Sequence, residues 1–163
     1  MPDLELIVSD VADDRRSRPL TVFETPSRSI LDVLRGQAVG KLTTHVLPGY
    51  LMERRWYAAK DSGVPNVGIA NSISLGSGDD AVILILDVTP GRQPSRKYLF
   101  PVSVLWDAEV PASAVLAELE HDASRGVLVD AFADDRFIRM LLARIGADDG
   151  DGARKVSGLA FRR

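Results

Sequence analysis

The sequence predicts an α+β domain in which an antiparallel sheet packs on helices. Three apolar runs between residues 66 and 106 are joined by short turns without crossover helices, which favours antiparallel pairing. The segments on either side carry apolar residues at helical spacing. With 163 residues, of which 45% are hydrophobic and 26% charged, the chain is long enough for one globular domain with its own core.

The first part of the chain is predicted to form an arm with short strands over residues 1–36, followed by the main domain over residues 37–163. Leu4–Val8 and Leu20–Phe23 are apolar enough to be strands, and a polar stretch separates them. Ser29–Leu34 is typical of one or two helical turns. A polar stretch then separates this arm from the rest of the chain.

A helix is predicted from Val39, because apolar residues recur from there at the spacing of one helix face. Pro48 is expected to kink or restart it, since proline removes a hydrogen-bond donor and crowds the preceding turn. The helix gives way to the polar and aromatic run Glu53–Asp61.

The three predicted strands differ in their patterns. In the first, every second residue from Val67 to Leu75 is expected to share one face. Ala81–Val88 is apolar on both faces, which indicates a central strand. Pro101 in the third strand indicates a bulge or an edge, because proline cannot donate to a neighbouring strand.

The last third of the chain is predicted to alternate helices and strands. Pro111 is expected to start a helix that Gly126 ends, and a strand covers residues 127–132. Asp134 is expected to cap a second helix, which Gly146 ends, and residues 156–163 form a last strand. The apolar residues expected to be buried by that second helix are Phe137, Ile138, Leu141, Leu142 and Ile145.

Charge and composition exclude several classes of partner. The net charge of −3 gives no basic field of the kind that nucleic-acid binding requires. The longest apolar run, Ala81–Leu86, is too short to span a membrane, and the first residues do not resemble a signal peptide. The chain has no cysteine, which fits a reducing cytoplasm. We therefore expect a cytoplasmic protein that binds a protein or a small molecule, with no nucleic-acid or membrane partner.

No pattern for catalysis, cofactor binding or metal binding is complete. Gly36–Thr43 departs from a phosphate-binding loop, because only three residues separate its glycines and Leu42 follows the lysine. Residues 147–152 resemble a calcium loop, but no glutamate follows to close it. His45 and His121 lack a second ligand at metal-site spacing, and neither has an aspartate two residues later. The sequence therefore predicts no catalytic, cofactor-binding or metal-binding residue.

The run Glu53–Asp61 is unusual because it joins a helix to a sheet and concentrates cations around two aromatic residues. Composition alone predicts that Trp56 and Tyr57 are buried at the helix end. The cations expected to be exposed are Arg54, Arg55 and Lys60. An alternative reading is that these cations bind an anion or an acidic partner.

Leu47–Asp61 resembles the entry segment of the maltokinase N-terminal cap domain. That segment has a Leu-Pro pair and then a core of Arg-Trp-Phe/Tyr-Ala-Gly/Ala-Lys, matched here by Leu47, Pro48 and Arg55–Lys60. Ala59 stands where glycine is commoner. Looser likenesses extend the resemblance over Val39–Arg163, about three quarters of the chain.

The resemblance implies a cystatin-like cap, a curved antiparallel sheet around a helix. It also implies a parent kinase that uses ATP and magnesium to make maltose 1-phosphate, on the route from trehalose to a glycogen-like glucan. In some relatives this kinase is fused to trehalose synthase. The family's ATP and maltose residues lie in the kinase lobes, so none is carried over to this chain. The candidate contact with the kinase N-lobe consists of Arg54, Arg55, Trp56, Tyr57 and Lys60.

Three alternatives stay open. Related glucosamine or aminoglycoside-type kinases carry a similar cap, so the parent's sugar is not fixed. A freestanding carbohydrate-binding or protein-interaction module would need an exposed aromatic platform, for which Tyr98, Phe100 and Trp106 are candidates. A small enzyme would need a pocket around His45 or His121 with carboxylates converging on it.

Overall fold

The computed structural model describes residues 20–35, 37–74 and 80–146, together with the strand residues 155–156 and 159–160. Six strands form one curled sheet: β1 (Val22–Glu24), β2 (Asn66–Ser74), β3 (Ala81–Thr89), β4 (Arg96–Trp106), β5 (Val115–His121) and β6 (Ser124–Asp130). Their order across the sheet is β1-β5-β6-β4-β3-β2. Only β1 and β5 pair in parallel, and every other neighbouring pair is antiparallel. The predicted α+β class is confirmed.

Four α-helices accompany the sheet in the described part of the chain: α1 (Ile30–Val33), α2 (Gln37–Lys41), α3 (Leu47–Glu53) and α4 (Asp135–Gly146). A π-helical turn, Leu42–Val46, joins α2 to α3. Pro48 lies in the first turn of α3, where its missing N–H costs nothing, so the predicted restart of the helix is confirmed. Short 3₁₀ turns cover Lys60–Ser62, Ala112–Ala114 and Ala131–Ala133.

The larger core lies between one face of the sheet and the helices α1 to α3. Leu42, Leu47 and Leu51 are fully buried in it against strand residues such as Leu84 and Val102. The first elements in the described part of the chain contribute to the same core, through Phe23 of β1 and through Ile30 and Val33 of α1. The division of the chain at residue 36 stays a prediction. The predicted strand Leu4–Val8 lies outside the described residues.

A smaller core lies on the opposite face, under α4. It joins Phe137 of α4 to Ile73 of β2 and Ile83 of β3. A register shift between Ile69 and Asn71 allows β2 to contribute to both cores, because an extra residue reverses the faces of the strand. Val67 therefore packs in the larger core and Ile73 in the smaller one. The prediction that alternate residues from Val67 to Leu75 share one face is wrong.

The helix predicted from Pro111 is also wrong. Ala112–Ala114 makes a single 3₁₀ turn, and the chain then enters β5, which pairs with both β1 and β6. Gly126 lies within β6 and ends no helix. A Cβ atom there would be 2.6 Å from Trp106 Cε3, so glycine allows the indole to lie on the strand.

The inner strands β3 and β4 differ from their predictions. Ala81–Val88 belongs to β3, which is buried on both faces but lies next to the edge strand and not at the centre. Pro101 sits in regular register with Ile83, so it marks no bulge. The pairing of β4 with β6 begins only at Val102, so β4 is locally an edge at the proline, as the sequence indicates.

The C-terminal helix follows its prediction in part. Asp134 accepts from the backbone N–H of Arg136 at 3.0 Å, and α4 ends at Gly146, as predicted. Leu142 and Ile145 are not buried, however, with 61% and 58% of their surface exposed. The predicted last strand is instead a pair of short strands, β7 (Lys155–Val156) and β8 (Leu159–Ala160), which pair in antiparallel orientation. None of the helices in the described ranges is long and apolar enough to cross a membrane.

Candidate interdomain surface

The candidate segment, Glu53–Asp61, begins where α3 ends. The contacts of Arg54 set the direction in which the chain leaves the helix. The Arg54 backbone is extended, and its N–H donates to Leu51 O at 3.0 Å, which closes the helix. The guanidinium carbon lies 3.8 Å from the centroid of the Tyr50 ring, and Nη2 donates to Ser113 O at 2.9 Å. Arg54 therefore joins α3 to the turn before β5 and is largely enclosed by the protein.

Tyr50 extends this network into the sheet. Its hydroxyl donates to Asp130 Oδ2 at 2.9 Å, and its ring meets Phe100 edge-on at 5.6 Å. The other carboxylate oxygen of Asp130 accepts from Phe132 N at 3.0 Å. Burial raises the pKa of Tyr50 well above its ordinary value, and the negative charge of Asp130 raises it further. The phenol is thus held protonated as a hydrogen-bond donor.

Tyr57 turns inward three residues after Arg54. Its backbone N–H donates to Arg54 O at 3.2 Å, and only 1% of the residue is exposed. The buried hydroxyl has no hydrogen-bond partner among the described residues. Burial raises the pKa of Tyr57, an effect that the nearby Arg96 partly offsets. Tyr57 is therefore an anchor in the core.

Trp56 points the other way. Half of its surface is exposed, and its ring packs against the ring of Tyr98, with the centroids 6.0 Å apart. The same Tyr98 ring lies 6.2 Å from the ring of Tyr57. Tyr98 therefore packs beside both the buried tyrosine and the exposed tryptophan. Arg55, the residue before Trp56, is also exposed.

The rest of the segment is held by the loop between β3 and β4. Gln93 Nε2 donates to Ser62 Oγ at 2.6 Å, which ties that loop to the 3₁₀ turn containing Lys60. Gly91 has a φ of 51°, and a Cβ there would lie 2.4 Å from Ser62 O. Only glycine allows this approach. Lys60 is half-buried at the margin of the surface.

The five predicted contact residues thus divide into two groups. Arg54 and Tyr57 point into the protein. Arg55 and Trp56 point outward, and Lys60 is half-buried. The composition-based expectation is right for Tyr57 and Arg55. It is wrong for Trp56, which is half exposed, for Arg54, which is mostly enclosed, and for Lys60, which is half-buried. We define the outward surface as Arg55, Trp56, Lys60 and Tyr98. The sequence does not link Tyr98 to this segment, because nothing local shows that β4 passes beside it.

The remaining predicted features lie elsewhere. Phe100 is buried, and Trp106 Nε1 donates to Arg28 O at 3.1 Å, so neither forms an open platform. His121 ends β5, with Nδ1 3.0 Å from Thr25 O. Within the described ranges no three His, Asp or Glu side chains are placed to share a metal ion.

Two open hollows of about 350 and 400 Å³ lie on another part of the molecule. Both are lined by Leu105, Ala108 and Glu109, and none of residues 54–60 contributes to either hollow. The candidate surface lines neither hollow and is aromatic, which suits contact with another protein surface better than enclosure of a small substrate.

Comparison with known proteins gives one family. The model of the maltokinase N-terminal cap domain matches residues 50–134, just over half of the chain. The match begins at Tyr50, contains the whole candidate segment and ends at Asp134 after the last strand of the large sheet. A comparison with curated proteins gave no match. The chain belongs to the maltokinase N-terminal cap domain family.

Proposed function

We propose that this chain is a non-catalytic cap that packs on the N-lobe of a maltokinase-type sugar kinase. The observation that carries the proposal is Trp56, which lies in the family-matched region and exposes half of its surface although a core is close by. A tryptophan held on a tyrosine and flanked by a cation is the composition typical of residues that dominate protein interfaces.

The contact is made by the outward surface of Arg55, Trp56, Lys60 and Tyr98. Tyr98 supports the indole at 6.0 Å, so little side-chain freedom is lost on binding. Arg54 and Tyr57 support this surface from inside the protein, because they fix the backbone on either side of Arg55 and Trp56. The two cations favour an acidic patch on the kinase.

The cap acts by positioning. Phosphoryl transfer depends on holding the nucleotide, the magnesium ions and the acceptor in line, so a lobe that is held rigid transfers faster. ATP, magnesium and maltose are bound by the kinase, which makes maltose 1-phosphate in the cytoplasm on the route from trehalose to glucan. Trehalose synthase is the second partner in this proposal, as in the fused relatives.

The experiment is reconstitution of a kinase that lacks its own cap. Maltokinase lobes without a cap are assayed with ATP, magnesium and maltose, before and after the chain is added. We expect the chain to bind, to raise the kinase's melting temperature and to lower its KM for ATP. The same assay with glucosamine kinase lobes identifies the parent's sugar. The proposal would be contradicted if the chain bound neither the maltokinase lobes nor the glucosamine kinase lobes.

A second candidate function rests on the same aromatic pair. Trp56 and Tyr98 form an exposed aromatic surface, and such surfaces also stack on sugar rings. In this alternative the chain is a freestanding carbohydrate-binding module. Titration with maltose and longer α-glucans, followed by Trp56 fluorescence, separates the two functions, because the cap proposal expects no sugar binding by the chain alone.

A further inference from the structure

Two segments beside the exposed tryptophan carry only positive charge. Residues 54–60 and 90–98 contain six arginines and lysines but no aspartate or glutamate, although the chain as a whole has a net charge of −3. Two of the six are engaged within the protein, since Arg54 is largely enclosed and Lys97 donates to Asp87 at 2.8 Å. The cations that form no ion pair with a described residue are Arg55, Lys60, Arg92 and Arg96.

The loop between β3 and β4 brings Arg92 to the margin of the outward surface. Gly91 closely approaches Ser62 O, and Gln93 donates to Ser62 Oγ at 2.6 Å. The residues on both sides of Arg92 therefore contact the 3₁₀ turn that contains Lys60. The Arg92 side chain itself is exposed, so it lies at the same margin as Lys60 and is open to a partner.

The strand β4 adds Arg96 to the same surface. Arg96 and Tyr98 share one face of the strand, because side chains two residues apart point to the same side. Lys97 points to the other face, where it meets Asp87. The charge of Arg96 partly offsets the rise in the pKa of Tyr57 that burial causes, so Arg96 lies close enough to this anchor to act on it. Arg96 therefore extends the outward surface along β4.

The two hollows carry the opposite charge. The two arginines among their lining residues are already engaged, since Arg125 pairs with Glu120 and Arg136 with Asp134. An acidic partner is therefore attracted to the outward surface and repelled by the hollows, which favours one orientation of binding. The carboxylates that line the hollows are those of Asp107, Glu109, Glu118, Glu120, Asp134 and Asp135.

We propose that Arg92 and Arg96 belong to the contact with the kinase, and that the contact selects an N-lobe patch rich in aspartate and glutamate. This inference rests on the proposed function and adds the chemistry of the partner. The four cations have no ion pair with a described residue to give up on binding, and guanidinium groups bind carboxylates through paired N–H donors. A protein partner is favoured over nucleic acid, because the chain as a whole is negative and presents an exposed indole among these cations.

The two kinds of residue have different roles in this contact. Exposed charges at the margin of an interface steer the partner and so raise the association rate, whereas a well-packed aromatic residue slows dissociation. We therefore assign Arg92 and Arg96 mainly to association and Trp56 mainly to dissociation. The association rate constant should accordingly fall as salt screens the charges.

The first test is the kinetics of binding between the full chain and maltokinase lobes that lack their own cap, in about 50 mM and about 500 mM NaCl. The association rate constant of the wild type is expected to fall about tenfold or more at the higher salt. At the lower salt, Arg96→Glu should lower it about fivefold or more, with little change in the dissociation rate. Lys97→Glu is the matched control, because it makes the same change in net charge at the next residue but on the other face of β4. It should stay within about twofold of the wild type.

The outcomes separate this inference from the proposed function. Binding that is equally fast in Arg96→Glu and Lys97→Glu, or that does not slow with salt, overturns the selection by charge and leaves the cap function standing. Absence of binding contradicts the proposed function. In that case a titration that does not need the kinase decides whether the surface takes an acidic partner.

That titration uses a hexaglutamate peptide as the probe and hexalysine as its control, with the full chain followed by nuclear magnetic resonance. The indole N–H signal of Trp56 is expected to shift with hexaglutamate at low salt and not with hexalysine. The indole of Trp106, which donates to Arg28 O, is the internal control and should not move. Equal shifts of the two indoles, or no shift of Trp56, overturn the inference. A larger shift of Trp56 with inorganic phosphate at the same concentration of charge also overturns it, because the surface would then bind phosphate.

Discussion

Arg54 stacks its guanidinium on the ring of Tyr50, with 3.8 Å between the guanidinium carbon and the ring centroid. The two residues are one helical turn apart, and Tyr50 is in turn bonded to Asp130 at the end of β6. The stack therefore fixes the C-terminal end of α3 relative to the sheet. Because Arg55 and Trp56 follow directly, their outward direction depends on this inward contact.

Replacing Arg54 with alanine is expected to lower the free energy of unfolding by about 2–3 kcal/mol, from the lost cation–π contact and the lost charged hydrogen bond to Ser113 O. The exposed neighbour gives the control, since Arg55→Ala should change stability by no more than about 0.5 kcal/mol. Urea unfolding followed by circular dichroism measures both. Equal losses in the two variants would contradict the inward role of Arg54.

Two tyrosine-to-phenylalanine changes are expected to differ in their effect. Tyr50→Phe removes a donor to Asp130 and should cost about 1.5–3 kcal/mol, because that bond is to a charged group. Tyr57→Phe removes a buried hydroxyl with no partner among the described residues, so stability should be unchanged or should rise. Chemical denaturation of the pair tests this. A large loss in Tyr57→Phe would mean that its hydroxyl does have a partner.

Stability is expected to fall in alkaline solution. The folded pKa of Tyr50 is raised above the ordinary value of 10.0, so between the unfolded and the folded pKa the unfolded chain has released this proton while the native protein retains it. The unfolded state then binds fewer protons, and the free energy of unfolding decreases as the pH rises above about 10. Denaturation midpoints measured from pH 8 upward should fall less steeply in Tyr50→Phe than in the wild type.

Gly91 is expected to be intolerant of substitution. Gly91→Ala puts a methyl group 2.4 Å from Ser62 O and a side chain at positive φ, which should cost about 1–3 kcal/mol and loosen the turn around Lys60. Gly68→Ala is the control, because the nearest atom to its Cβ is 4.0 Å away and its φ is not positive. Thermal unfolding and the amide exchange of Ser62 measure the difference. Equal behaviour of the two variants would contradict the close approach.

The strands β2, β3 and β4 and the restart of the helix at Pro48 were predictable from the sequence. Their signals are local: apolar runs bounded by turns, and a proline whose missing donor suits a first turn. The prediction failed for β5, whose Ala, Leu and Glu residues favour a helix when considered alone. Pairing on both sides, with β1 and β6, overrides that preference, and distant pairing leaves no local mark.

The candidate site was predictable as a segment but not in its geometry. The Arg-Trp-Tyr core marks Arg55, Trp56 and Tyr57 as unusual, yet hydrophobicity alone assigns both aromatic rings to the core. The indole instead packs on Tyr98, 42 positions after Trp56 in the chain, and the ring of Tyr98 also lies beside Tyr57. Likewise Leu142 and Ile145 have the spacing of buried residues, but α4 turns them away from the sheet.

The stability of the Trp56→Ala variant distinguishes a structural role of the indole from a role in an interface. A fully buried tryptophan costs about 3–5 kcal/mol when truncated to alanine, whereas the half-exposed Trp56 should cost about 2 kcal/mol or less. Urea unfolding of Trp56→Ala and the wild type measures this. A loss in the core range would assign the ring to the fold and not to a partner.

The most direct test of the proposed cap function is the affinity of the chain for maltokinase lobes that lack their own cap, compared between the wild type and Trp56→Ala by calorimetry. Phe132→Ala serves as a control, because it removes an exposed aromatic ring outside the defined surface. The proposal predicts that Trp56→Ala weakens binding by about 30-fold or more, as expected for a central interface residue, while Phe132→Ala leaves it unchanged. Equal affinity of the wild type and Trp56→Ala would contradict the assignment of this surface to the kinase.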